Sequence, residues 1–179
     1  IFLETDYNPI TVLEIKSELR YKKSAYSPFI VDSFSIGMWK PEYTGTTTSL
    51  IWNIEAEYAL NSQQTIFGKF LFQRVKNSLF SEQLPYIHPA KLSTGYTYKF
   101  ITPLEATVRC TYSSPQALGV DSKKKLNDIF LTDVSLHYII NHNFSAHIIV
   151  NNVFDRKYYL WKNYRGERAM FVFGNTGQW

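Results

Sequence analysis

Few residues of this 179-residue chain are equipped for chemistry, and most of them lie in its second half. His137 and His147 face each other if the intervening "NHN" closes a hairpin. Two imidazoles could begin a zinc site, but zinc needs further ligands. Asp133 and Asn151 lie four residues along, too distant to complete the shell. Two histidines facing an aqueous interior near a short turn is the plainer reading, and no metal site is expected. Glu55 and Glu57 stand two apart on one strand face, like a carboxylate pair. Lys69, placed opposite Glu57, makes a structural charge pair the simpler role. Cys110 has no partner thiol and no base beside it in register, so it reads as a small packing or lipid-facing residue. Lys123, Lys124 and Lys125 occupy a long loop with Asp121 nearby, and Tyr164 and Arg165 lie in the last loop, close to Arg168. They are the candidate contacts for an anionic ligand, although a run of solvated charges is the plainer reading of the lysines and a structural role the plainer one for Arg165 and Arg168. No nucleophile elbow, P-loop or Gly-rich phosphate motif is present. No catalytic residue, enzymatic activity or cofactor is expected.

The elements that must position these residues are strands. Period-2 alternation runs from end to end, and helical periodicity is hard to find. Leu13, Ile15, Leu19 and Tyr21 alternate with Glu14, Lys16, Glu18, Arg20 and Lys22. Phe34, Ile36 and Met38 alternate with Ser33, Ser35 and Gly37, and Leu50 to Leu60 alternates likewise. Further strands are expected at 65–76, 91–100, 104–113, 128–140, 144–158 and 168–179, about nine in all. Short turns ("NSQQT", "ITP", "NHN") alternate with long polar or mixed loops ("KPEYTGTTT", "KNSLFSEQLPYIHPA", "SSPQALGVDSKKKLN", "LWKNYRGE"). An up-and-down meander with unequal rims follows.

The turns specify registers. Centring the last hairpin on His142 pairs Ile140–Phe144, Tyr138–Ala146, Leu136–Ile148 and Val134–Val150 on one face. The other face receives His137–His147, Ser135–Ile149 and Asp133–Asn151. Centring on Thr102 pairs Phe100–Leu104, Tyr98–Ala106 and Tyr96–Val108 against Lys99–Glu105, Thr97–Thr107 and Gly95–Arg109. Centring on Gln63 sets Ile54–Phe72 and Ala56–Phe70 against Glu57–Lys69 and Asn53–Gln73. Each hairpin sorts into an apolar and a polar face, and a one-residue slip would mix them.

Composition limits what those faces can meet. The formal charge is +4 from 19 basic and 15 acidic residues, without the clustered basic face of a nucleic-acid binder. One cysteine excludes an internal disulfide framework. No run of apolar residues is long enough for a transmembrane helix. The chain opens with Ile1 and shows no signal peptide, so one was removed or the chain starts within a longer protein. Aromatics are the outlier, at 17% of residues. Three features favour a membrane barrel with its apolar face outward over a soluble one. The strands run about ten residues, the length that spans a bilayer when tilted. Aromatics gather towards strand ends (Tyr21, Trp39, Tyr43, Trp52, Tyr58, Tyr112, Tyr158, Tyr159, Trp161), as interfacial girdles do. Loop lengths differ between the rims, as in outer-membrane barrels.

The ordered motifs carry a resemblance. "LPYIHPAKLSTGYTYKF", "ITPLEATVRCTYSS" and "LNDIFLTDVSLHYII" are followed by "NNVFDRKYY" and "YRGERAMFVF". In that order they resemble the C-terminal barrel of TonB-dependent outer-membrane receptors, whose penultimate strand carries an "NLFDKKY"-like motif. "LEIKSELRYKK" and "LIWNIEAEYAL" resemble the family's glutamate-bearing descending strands. The resemblance implies an all-β wall segment of a transmembrane barrel, residues 1–179 being the C-terminal portion of a receptor whose plug domain and earlier strands lie elsewhere. About nine strands are too few for the twenty-two of such transporters, and an odd number does not close an antiparallel barrel. The implied function is uptake of a scarce ligand (an iron chelate, cobalamin or a glycan) at the bacterial outer membrane. The implied partners are that small molecule, outer-membrane lipid, lipopolysaccharide, and TonB acting through the plug. Lys123–Lys125, Tyr164 and Arg165 are then outer-loop candidates for ligand or lipopolysaccharide phosphate. The competing classes are a stand-alone outer-membrane barrel with a structural or adhesive role and a soluble ligand-binding β-barrel. In "NNVFDRKYY", Asn151 and Asp155 are expected to share the lumen face and Val150, Asn152 and Phe154 the lipid face. The aromatic ending, with Phe171, Phe173 and Trp179 of one parity, also suits such barrels.

Overall fold

The computed structural model describes residues 1–10, 12–25, 29–33, 38–42, 45–79, 83–101, 103–119, 123–141 and 143–177. They form an all-β structure with no helix among the described residues. Nine long strands make one antiparallel sheet in simple sequence order: β1 (Phe2–Ile10), β2 (Leu13–Ala25), β5 (Thr46–Asn61), β6 (Gln64–Asn77), β7 (Ala90–Ile101), β8 (Leu104–Ser113), β11 (Ile129–Ile139), β12 (Phe144–Asn151) and β15 (Met170–Gly177). Between them lie three two-stranded ribbons: β3 (Phe29–Ser33) with β4 (Met38–Glu42), β9 (Gln116–Ala117) with β10 (Lys125–Leu126), and β13 (Tyr159–Trp161) with β14 (Tyr164–Arg165). The three ribbons interrupt the long connections 26–45, 114–128 and 152–169, each of which carries its own hairpin.

The expected count of nine holds, but the membership differs. The first wall strand is Phe2–Ile10, whose alternation went unread because Asn8 and Pro9 break the apolar rhythm. The strand expected at 33–38 falls mostly outside the described residues. Residues 34–37 lie outside those described, and their flanks belong to the β3–β4 ribbon. The strand expected over 144–158 stops at Asn151, and the one expected from 168 starts at Met170. β5 begins at Thr46, inside the stretch read as loop. Trp52 therefore sits in mid-strand rather than at an end. Trp39, Tyr43, Asp121, His142 and Trp179, each named above, have side chains outside the described residues.

Registers confirm the division into faces. Lys99↔Glu105, Tyr96↔Val108 and Gly95↔Arg109 pair as expected, as do Leu136↔Ile148 and His137↔His147. A bulge after Lys99 pairs Leu104 with Ile101 instead of Phe100. The β5–β6 register is displaced by two residues. Its turn holds only Ser62 and Gln63, with a bulge between Ala59 and Asn61, so Ile54 meets Phe70, Trp52 meets Phe72 and Glu55 meets Lys69. A shift of two leaves every side chain on its expected face.

Followed across the sheet, one row reads Leu13, Tyr58, Ile66, Tyr96, Val108, Val134, Val150, Phe171. Another, on the opposite face, reads Asp6, Lys16, Glu55, Lys69, Ser93, Thr111, Leu131. The apolar rows are not covered. Phe171 is 64% and Phe173 72% exposed, and among the described residues only Leu84 and Ile129 are buried apolar side chains. A soluble sandwich or barrel would bury that face. Here it is the face left open, as in a wall that meets lipid.

Candidate functional site

The four short turns share one rim, and the connections 26–45, 78–89, 114–128 and 152–169 share the other. The second, third and fourth of these are tied together. Tyr86 N–H donates to the Ala117 carbonyl at 3.0 Å, and Ser114 N–H to the Ala90 carbonyl at 2.9 Å. His88 is buried, its Nδ1 2.5 Å from the Ser114 carbonyl oxygen. Burial lowers the His88 pKa, so the ring is neutral near pH 7 and Nδ1–H donates. Gln116, 2% exposed, donates from Nε2 to the Leu160 carbonyl at 2.7 Å. These buried polar groups have partners, as a packed loop layer requires.

"NNVFDRKYY" supplies the tightest knot in that layer. Asn151 ends β12, and Asn152 turns the chain at φ 50°. Asn tolerates this left-handed region because its short amide bonds locally. Asn152 N–H donates to Asp133 Oδ1 at 2.9 Å. Its Nδ2 donates to the Arg156 and Glu167 carbonyls at 2.9 and 3.1 Å, and its Oδ1 accepts from Arg156 N–H at 2.9 Å. Both polar atoms of this side chain, 3% exposed, thus have partners. Asp155, at φ 48°, bonds the Arg168 guanidinium and accepts from Ala169 N–H at 3.1 Å. The Arg168 hydrogen bond, then the Ala169 amide, hold its carboxyl well below the usual carboxylate range, and Arg168 is pushed up in return. Tyr158 covers Gly166, where a Cβ would overlap its ring, and burial raises its phenol.

The parity expected for Asn152, Phe154 and Asp155 is therefore corrected. They lie beyond the strand, in a turn, where alternation no longer assigns a face. Arg168 has a structural partner, but the spacing of Asp155 and Arg168, thirteen residues apart across a hairpin loop, gave no sequence signal for it.

The other candidates separate. Lys125 pairs with Ala117 in the β9–β10 ribbon, and Lys123 and Lys124 precede it, all three exposed. Tyr164 pairs with Trp161 and Arg165 with Tyr159 in the β13–β14 finger. The Trp161 and Tyr164 rings meet edge-on at 5.6 Å, and both are exposed. A depression of about 460 Å³ joins Lys125 to Arg156, Lys157, Tyr158 and Tyr159, but Lys123, Lys124, Tyr164 and Arg165 do not line it. Arg156 and Lys157, absent from the expected set, are the residues sequence reasoning missed.

On the polar face, Glu55 binds Lys69 rather than serving beside Glu57, which stands opposite Phe67. Lys99, Glu105, His137, His147 and Gly174 form one cross-strand row. The His147 ring lies over Gly174, where a Cβ would overlap it. No group of three or more metal-ligating side chains occurs among the described residues. Cys110 faces the apolar side, its Sγ 3.7 Å from Thr132 Oγ1. A second depression, about 430 Å³, opens on the polar face between Glu14, Glu57, Lys69 and Arg109, with the Arg109 guanidinium 5.6 Å from the Phe67 ring centroid.

A nine-stranded open wall, lipid-like on one face and charged on the other, with one rim of interlocked loops, matches solved barrels. The copper transporter OprC superposes over 98% of this chain with a TM-score of 0.81 at 15% identity. This is the fold of a TonB-dependent receptor barrel wall. The ferric-catecholate import receptor Fiu of E. coli K12 matches over 98% at TM-score 0.69 and 16% identity. The ferripyoverdine receptor of the Pseudomonas aeruginosa outer membrane matches over 98% at 0.68 and 15%. The chain spans 30%, 27% and 26% of those proteins respectively. No family model and no curated protein matches its sequence. The TonB-dependent receptor likeness is thus one of fold, and the resemblance read from the motifs holds in three dimensions.

Proposed function

We propose that this chain is the C-terminal wall of an outer-membrane receptor that imports a scarce ligand, with TonB acting on a plug carried elsewhere in the parent protein. One observation carries the reading: an exposed apolar face spans the sheet, backed by charges and capped on one rim by a built loop layer. Lipid answers the first face, a watery lumen the second, and ligand capture the loops. The structural neighbours are named as a copper transporter and as ferric-catecholate and ferripyoverdine receptors, which favours a metal or metal chelate as cargo. Lys123, Lys124, Tyr164 and Arg165 are proposed as outer-loop contacts to it, the Trp161–Tyr164 pair offering a ring face beside the Arg165 cation.

Uptake tests the reading. Cells lacking the parent gene should lose accumulation of one radiolabelled metal or metal chelate under limitation, and regain it with the intact gene only while TonB is functional. Unchanged accumulation across metals, ferric chelates, cobalamin and glycans, with the protein still in the outer membrane, would favour a structural or adhesive barrel.

A further inference from the structure

We propose that the depression between β10 and the Asn152–Tyr159 turn is a seat for the phosphorylated headgroup of an outer-leaflet lipid. The proposal rests on the membrane reading and goes beyond it by assigning a site. Tyr112 and Phe130 stand opposite each other on the apolar face, at the loop end of β8 and β11, both more than a third exposed. Below them the same face continues through Val108, Val134, Leu136 and Tyr138. The aromatic pair thus marks the upper edge of the lipid-facing band, the level at which aromatic belts meet headgroups. Arg156 sits on that edge, its guanidinium carbon 5.7 Å from the Phe130 ring centroid. Lys125 and Lys157 line the same depression, so three cations face one carboxylate, Asp128.

The charge is available and the frame is rigid. Asp155, the acid nearest in sequence to Arg156 and Lys157, is already occupied by Arg168. Lys125, Arg156 and Lys157 take part in no ion pair among the described residues. Arg156 owes its placement to its backbone, clamped at both N–H and C=O by the buried Asn152 side chain, so its side chain is free to serve a ligand. A guanidinium with two ammonium groups suits a phosphate's several oxygens, Arg by a planar fork and Lys as point charges. Position selects the source. A free anion has no need of an apolar ledge, whereas a lipid phosphate stands above acyl chains that the Leu136 face can receive.

The parent barrel, purified in mild detergent, would be titrated by native mass spectrometry with a bisphosphorylated glucosamine glycolipid, its dephosphorylated form, and inorganic phosphate. Wild type should retain the phosphorylated lipid preferentially. The combined variant Lys125→Gln, Arg156→Gln, Lys157→Gln should bind it about ten- to a hundredfold more weakly, whereas Lys22→Gln with Lys23→Gln should change little. Heat-modifiable electrophoretic mobility would show that each variant is folded. Equal retention of both lipids, or an unaffected triple variant, overturns the site while leaving the membrane wall intact. Displacement of the lipid by millimolar inorganic phosphate alone also overturns it, in favour of a soluble anion. Retention of neither lipid also overturns the site, while a barrel that stays monodisperse in plain buffer overturns the wall.

Discussion

Asn152 shows how much one side chain can decide at a loop. It is buried, lies at positive φ and satisfies three backbone groups, Arg156 N–H and the Arg156 and Glu167 carbonyls. Asn152→Ala should cost about 1–3 kcal/mol through the unmade hydrogen bonds. Asn152→Gly relieves φ but loses the same bonds, so it should not rescue. Protease nicking of the 152–169 loop in the folded barrel is the readout, since the opening is local. Asp155 adds a pH dependence. Its folded pKa lies below the ordinary 3.8, so the Arg168 contact stabilises fully above that value. The contribution fades only as pH falls through the lower folded value. Loop protection should hold from pH 7 to about 4 and drop in stronger acid. Asp155→Asn should lower protection at pH 7 and flatten that acid limb; an unchanged acid limb would remove Asp155 from the account.

At the scale of the strand, alternation makes neighbouring positions answer to different solvents. Leu136 belongs to the apolar face and Ser135 to the polar one. Leu136→Arg should destabilise the barrel in bilayers by about 2–4 kcal/mol if it lies near the midplane, and Ser135→Arg far less. Leu136→Ala should cost less than the 2–5 kcal/mol of about any packed core site, because acyl chains refill the space. Urea unfolding in lipid vesicles measures all three. Two glycines give a steric counterpart. A Cβ at Gly95 would overlap the Phe67 ring and sit 2.7 Å from the Val108 carbonyl oxygen, whereas Gly68 has nothing within 4 Å. Gly95→Ala should therefore cost about 1–3 kcal/mol by overpacking, and Gly68→Ala should be tolerated. Equal effects would mean that Phe67 swings away freely.

For the whole molecule, the open apolar face sets the environment. Soluble monomers rarely expose a contiguous apolar face across many strands. The parent protein should fractionate with outer-membrane material and stay monodisperse only with detergent or lipid. Monodispersity in plain buffer would return the soluble-barrel reading.

The sequence by itself determined the faces. Period 2 is a property of extended backbone, so Tyr96, Val108 and Phe171 declare one solvent and Lys69, Glu105 and His137 another whatever the exact pairing. That is why a two-residue displacement in the β5–β6 hairpin changed partners, giving Lys69 to Glu55, without moving a residue between faces. Motif order also carried the likeness to receptor barrels, because strand length and loop alternation survive where identity does not. Only the tertiary structure decided the loop rim. Asn152 leaves the strand through a positive φ that no alternation signals, and its partners, with those of Asp155, come from strand and loop segments up to 19 residues away. The same turn carries Arg156 to Phe130 and Lys125, a meeting set by hydrogen bonds between loops rather than by any spacing along the chain.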